Sequence, residues 1–205
     1  RVDRAHRHGS SRYFMAEEWI RPALIDAIET LGLKRTHTHR SCGLDVWAHQ
    51  PKPRSNLEVV PVHTAEQLLM AHDVESRAFQ KPTPLTSEQV QQLLNLLNQP
   101  NARSGRYLVM DRAHDEPIST GGMNVYPELK LGLLWGGGTT PSARGRGAYR
   151  ATIDARVELA RSLGVETLGL YARKGTALPV MVKLGAQLGG RMTYWGRPPR
   201  KDRSE

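Results

Sequence analysis

The chain has 205 residues, of which 39% are hydrophobic, so it is long and apolar enough for one ordinary domain, or for one domain with a smaller piece. The formal net charge is +9, and much of the excess lies at the two ends, in residues 1–12 and 191–203. Basic tails of this kind usually aid solubility, so we expect no nucleic-acid partner. Cys42 is the single cysteine, which excludes an internal disulfide and a thiolate metal cage and fits a reducing, cytoplasmic compartment. No apolar run reaches the roughly 18 residues of a membrane span.

The first 53 residues are predicted to form a small α/β appendage. Pro22–Leu31 has the pattern of a helix, and a strand follows from Lys34 to Trp47, broken near Gly43. The Pro-containing residues 50–56 are typical of a linker, and they favour a domain boundary between 1–53 and 54–205.

A second set of elements begins near Leu57. Capping-box pairs at Thr64/Gln67 and Thr86/Gln89 predict two helices, and apolar runs and turn residues predict the rest. The predicted order is β-α-α-β-β-β-α-β-α-β, with strands at 57–62, 106–110, 118–126, 131–140, 165–172 and 191–195 and helices at 64–78, 86–97, 146–163 and 178–184. Because short turns join the three middle strands, this order predicts an α/β fold with a mixed sheet.

The segment from Thr139 to Tyr149 leaves a strand and enters a helix through two glycines. Glycine lets the backbone approach a ligand, and a helix start presents unpaired N–H groups that suit a pyrophosphate. Arg144 and Arg146 add positive charge. By itself the pattern is equally typical of a plain strand-to-helix turn with solvated arginines.

This segment resembles the cofactor motif of the GNAT superfamily of N-acetyltransferases. Arg144 and Gly147 occupy the motif's first two fixed places, whereas Tyr149 stands where a small residue is usual. The similarity continues through residues 178–186 and covers about 57–195. It implies a GNAT-like, mostly antiparallel mixed sheet flanked by helices, acetyl-CoA as co-substrate, and transfer of the acetyl group to a primary amine by direct attack. The resemblance assigns the cofactor to Gly137, Thr139, Arg144, Gly145, Arg146, Gly147, Ala148 and Tyr149.

The catalytic residues are not defined by this resemblance. The family often has a carboxylate on the strand before the motif, yet residues 131–143 contain none, and Met181 stands where a proton-donating Tyr is common. Glu128, Tyr126 and Tyr171 are candidates, although a solvated turn and strand packing explain them equally well.

Alternatives to an active enzyme follow from these departures. The same fold without turnover would be an acyl-CoA-binding sensor or partner module, and the net charge leaves a nucleic-acid-associated protein as a further rival. His37, His39, His49 and Cys42 lack metal-ligand spacing, so no metal is expected. A homodimer remains open. So does an internal repeat, because residues 31–33 echo 184–186 and the appendage could be the remnant of a GNAT-like half.

Overall fold

The structure is a computed structural model that describes residues 12–16, 21–82 and 84–196. Two compact units divide the chain: a larger one from Gly43 to Leu170, and a smaller one made of the residues up to Cys42 and those from Tyr171 onward. Its helices are Pro22–Thr30 (α1), Ala65–Phe79 (α2), Ser87–Leu97 (α3), Ala148–Ser162 (α4) and Ala177–Lys183 (α5). Its strands are Arg12–Ala16 (β1), Lys34–Asp45 (β2), Leu57–Pro61 (β3), Ser104–Asp111 (β4), Glu116–Tyr126 (β5), Leu131–Thr139 (β6), Thr167–Arg173 (β7) and Gln187–Gly196 (β8).

The predicted element order from residue 57 is confirmed, and local sequence signals explain why. Both capping boxes form: Thr64 Oγ1 accepts the Gln67 N–H and Thr86 Oγ1 accepts the Gln89 N–H, each at 3.2 Å. The main boundary error is at α4, which was predicted from Arg146 and begins at Ala148. Gly147 has φ +84°, a left-handed conformation that cannot continue a helix, so the two preceding residues stay in the loop.

The larger unit contains the mixed sheet. Its strands lie in the order β7-β6-β5-β4-β3, with antiparallel pairing from β3 to β6 and a parallel β6–β7 pair. Neighbouring residues of β4 face opposite sides: Leu108 packs in a cluster with α2 and α3, and Val109 packs in a cluster with the start of α4. The sheet therefore has helices on both faces, as the resemblance implied.

The smaller unit joins the two ends of the described chain. Its strands lie in the order β1-β8-β2, and β1 pairs antiparallel with β8 from Arg12↔Gly196 to Ala16↔Met192. Ile28 and Leu33 form a buried cluster with Trp195. The strand β1 was not predicted, and the predicted break near Gly43 is wrong, because β2 runs without interruption to Asp45.

The end of α1 and the end of α5 share one hydrogen-bond pattern. Gly32 and Gly185 both have positive φ, and the residue after each glycine donates its N–H to the carbonyl five residues back, Leu33 to Ile28 and Ala186 to Met181. The sequence echo thus corresponds to two equivalent helix ends. Such helix ends are common in proteins, so an internal repeat stays a prediction.

The predicted boundary at Pro53 stays a prediction as well. The structure groups the chain differently, since residues 43–53 belong to the larger unit. No helix among the described residues is long and apolar enough to cross a bilayer.

Candidate functional site

A bulge and an opening distinguish the carboxyl-terminal half of β6. The β5–β6 register shifts where Thr120 pairs with Gly138 but Gly122 pairs with Trp135, so β6 carries one extra residue, and Gly136 there has φ +58°. On the other side, β6 pairs with β7 only from Leu131 to Leu133 among the described residues. The rest of β6 up to Thr139 therefore has no recorded strand partner on that side, as predicted for a strand that receives an extended ligand.

The loop after β6 presents backbone donors to one place. A short 3-10 turn at Pro141–Ala143 leads to Gly145 at φ +80° and Gly147 at φ +84°. The first helical bond of α4 runs from the Ala151 N–H to the Gly147 carbonyl, so earlier N–H groups of the first turn have no acceptor within the helix. The structure thus places a helix start and two left-handed glycines at the positions predicted for the pyrophosphate.

Tyr149 departs from the small residue that the motif usually has, and Gly137 accommodates it. A β-carbon on Gly137 would stand 2.9 Å from Cε2 of Tyr149, closer than real contacts allow. The Tyr149 ring therefore lies against the backbone of the bulge. The glycine in the strand and the tyrosine in the helix are complementary, and the departure does not displace the first turn of α4.

The two motif arginines have different surroundings. Arg146 Nη2 lies 2.5 Å from Oδ2 of Asp111, whose side chain is buried. Hydrogen bonds from His114 and Arg146 lower the pKa of Asp111 to about 2, so the carboxylate stays charged. Arg144 is more exposed and donates from Nη2 to the Ala78 carbonyl at 3.3 Å. Arg146 is thus a brace between the loop and β4, and Arg144 is the motif arginine with more freedom to meet an anion.

A carboxylate that the sequence analysis missed lies beside the bulge. Both carboxylate oxygens of Glu75, on α2, lie 3.5 Å from the place that a β-carbon on Gly136 would take. Glu75 Oε2 accepts from Nη2 of Arg106 at 2.5 Å. The Arg106 side chain is 5% exposed, whereas that of Glu75 is 30% exposed. No local signal could have found this pair, because the two residues are 31 positions apart and come together only through packing of α2 on β4.

A buried arginine fixes β5 next to the bulge. Arg156, on α4, donates from Nη1 to the Gly122 carbonyl at 3.0 Å, and from Nη2 to Thr152 Oγ1 at 2.9 Å. Burial lowers the pKa of its guanidinium to about 10, so it remains charged at neutral pH. A β-carbon on Gly121 would stand 2.9 Å from this guanidinium, so the glycine there is required by the arginine.

The three residues predicted as catalytic candidates are not brought to the bulge. Glu128 and Tyr126 lie at the turn before β6, and Glu128 pairs with Arg103 at 2.8 Å on the surface. Six residues of strand separate Leu131 from Gly137, or about 20 Å at the usual rise per residue. Tyr171 belongs to the smaller unit and is 43% exposed. The geometry therefore gives these candidates no support, and their role stays a prediction.

The histidines group without forming a metal site. His37 stacks on Tyr194 at 4.4 Å between ring centroids, and His39 lies 4.5 Å from the same ring. Burial, with the charges of His37 and Arg173, lowers the pKa of His39 to about 4. His49 lies elsewhere and contacts Asp154. No cluster of three metal-binding side chains occurs in the part of the chain that the structure describes.

Comparison with known proteins identifies the architecture. No family model and no curated protein matches the chain, but many solved structures do. A GCN5-related N-acetyltransferase from Kribbella flavida superposes with a TM-score of 0.67 at 17% identity, over 91% of this chain and 68% of its own. The chain has the GCN5-related N-acetyltransferase fold. A second enzyme of that description, from Sphaerobacter thermophilus, gives a TM-score of 0.68 at 15% identity over 91% of this chain. A tandem GNAT protein from the clavulanic acid biosynthesis pathway gives 0.60 at 13% identity over 93%. The chain spans 60% and 64%, respectively, of these two longer proteins.

Proposed function

We propose that this protein is an acetyl-CoA-dependent N-acetyltransferase that moves the acetyl group to a primary amine, in the cytoplasm. The observation that carries the proposal is the combination of the β6 bulge, the unpaired half of β6, and a glycine-rich helix start directly after it. These three features form one continuous path along Gly137, Thr139 and residues 144–149.

The residues present fit acetyl-CoA along this path. The loop N–H groups and Arg144 suit the pyrophosphate, because they are donors and positive charge at a helix start. The unpaired backbone of β6 suits the amides of the pantetheine arm, in the manner of an added strand. In this arrangement the thioester end meets the bulge, and a backbone N–H there stabilises the oxyanion that forms when an amine attacks.

Glu75 gives the acceptor end its chemistry. Its carboxylate lies beside Gly136 in the bulge, and the adjoining guanidinium of Arg106 keeps it ionised. An ionised carboxylate attracts an ammonium group and can take the proton that the amine loses, directly or through water. A neutral or anionic acceptor would gain nothing from this contact, so Glu75 favours an amine.

The rival proposal, an acyl-CoA-binding module without turnover, is favoured by one feature. Met181 is fully buried and has no proton to give to a departing thiolate. A thiolate is nevertheless a tolerable leaving group, since thiol pKa values are about 8.5 in model compounds. Glu75 also replaces the carboxylate that appeared to be missing, so the enzyme is the better supported of the two.

The direct test is release of CoA from acetyl-CoA in the presence of a panel of primary amines, detected with a chromogenic disulfide. Cys42 is the one cysteine of the chain and is buried, and burial raises the pKa of its thiol, so the protein contributes little background. Amine-dependent release by the native chain, abolished in Glu75→Gln, supports the proposal. Tight acetyl-CoA binding without release for any amine would instead support the binding module.

A further inference from the structure

The segment that precedes β3 lies along α4 and is held there by side-chain contacts. His49 Nε2 lies 2.7 Å from Oδ1 of Asp154, and the Lys52 N–H donates to Oδ2 of the same carboxylate at 3.0 Å. Arg150 Nη2 donates to the Gln50 carbonyl at 2.9 Å. The predicted linker is therefore a strap fixed to the first turns of α4, and it ends beside the glycine-rich loop.

Arg54 is the residue of this strap that reaches the loop. Its guanidinium lies against the α-carbon of Gly147, and a β-carbon on Gly147 would overlap Nε and Cζ of Arg54. The Arg54 carbonyl accepts the Leu57 N–H at 3.1 Å, which fixes the backbone at this point. The position of Arg54 thus follows from the turn into β3 and from the strap, and the motif itself plays no part in it.

The charges around the loop are unbalanced in a way that calls for an anion. Arg54, Arg144, Arg146 and Arg150 cluster with the positive end of α4. Two carboxylates lie among them, and both are engaged: one holds Arg146, and the other holds His49 and the strap. No acidic partner of the Arg54 guanidinium is recorded among the described residues. A cation held beside a helix start without a counter-charge is unfavourable until an anion binds.

We propose that Arg54 contacts a phosphate at the nucleotide end of CoA, from outside the glycine-rich motif. This inference rests on the proposed function and adds to it a specificity-determining residue. The planar guanidinium matches phosphate oxygens with two parallel donors, which the backbone N–H groups of the loop cannot do. Gly147 has no side chain, so the guanidinium can lie close enough to share an anion with the loop.

The test is calorimetric titration of CoA into the native full chain and into Arg54→Ala, Arg54→Lys and Lys52→Ala. We expect Arg54→Ala to bind CoA about tenfold more weakly, as for the loss of one charge-assisted contact, and Arg54→Lys to fall between it and the native chain. Lys52→Ala is the matched control, because it removes one positive charge from the same strap and keeps the backbone N–H that Asp154 accepts. It should bind CoA like the native chain. Equal thermal midpoints will show that all variants fold.

Two further ligands identify the phosphate. If 3′-dephospho-CoA shows the same loss in Arg54→Ala, the contact is to the pyrophosphate; if the loss disappears, it is to the 3′-phosphate, and either result supports the proposal. Equal or tighter CoA binding by Arg54→Ala, or an equal loss in Lys52→Ala, would overturn it. A folded native chain that does not bind CoA would overturn the proposed function as well, which separates the two failures.

Discussion

Replacing Glu75 separates its structural role from its proposed chemical one. Arg106 is buried and donates to three acceptors: Glu75 Oε2 at 2.5 Å, the Ala71 carbonyl at 3.1 Å and Thr120 Oγ1 at 3.4 Å. Glu75→Ala removes the shortest of these and leaves a buried cation with two neutral partners. We expect it to lower the free energy of unfolding by about 2–3 kcal/mol, the range for a lost bond to a charged group. Glu75→Gln keeps an oxygen for Arg106, so its cost should be about 1 kcal/mol.

Turnover should follow the opposite logic, because a glutamine can neither attract an ammonium group nor take its proton. We expect Glu75→Gln to lose about 100-fold or more in turnover, the usual range for a lost general base, while its affinity for CoA stays unchanged. Urea unfolding measures the first effect, and CoA release with calorimetry measures the second. Glu66→Gln is the control, since it removes a charge from the same helix at its exposed first turn. Native turnover in a folded Glu75→Gln protein would refute the assignment of the acceptor end.

Three other predictions concern the loop and the chain ends. Arg144→Ala with Arg146→Ala should weaken CoA binding by about 1.5–3 kcal/mol for each real contact, and Arg146→Ala alone should mainly destabilise the protein, as calorimetry and urea unfolding will show, because it leaves Asp111 buried without its guanidinium. Since the pKa of Asp111 is lowered to about 2, its stabilising effect is complete above its ordinary value of 3.8 and is lost as pH falls through 2. The stability difference between the native chain and Asp111→Asn should therefore shrink below about pH 4 in urea titrations followed by circular dichroism. A chain that begins at Ser55 should unfold less cooperatively and bind CoA more weakly, because the strap and the Ile28 and Leu33 side chains around Trp195 are gone; native-like cooperativity and affinity would confirm an independent appendage instead.

The element order could be predicted because its signals are local. A capping box, a helix-ending glycine and a short turn each act within a few residues, and all of them appear in the structure where the sequence predicts them. The missed strand β1 has the opposite cause. It is five residues long, follows a basic stretch, and is stabilised by pairing with β8, about 180 residues further along the chain.

The candidate site divides along the same line. Gly137, Thr139 and residues 144–149 are contiguous, so a motif can place them together. Glu75 reaches the bulge through the packing of α2, and Arg54 reaches the loop through the strap. Their residue types are ordinary for an exposed helix and for a linker, so nothing in the local pattern marks them. A site built from one motif and several remote side chains can therefore be located from the sequence but not completed.

The strap also changes how the glycine-rich loop should be understood. In the sequence, Arg146 and Gly147 look equally dedicated to a phosphate, yet Arg146 is held by Asp111 of β4 and Gly147 is covered by Arg54 of the strap. The loop is therefore fixed from both sides before any ligand arrives, which reduces the ordering cost of binding. Glycine at 147 is required twice over, by its positive φ and by the guanidinium above it. Gly147→Ala should consequently weaken CoA binding even when Arg54 is already replaced by Ala, because the backbone strain remains after the clash is removed.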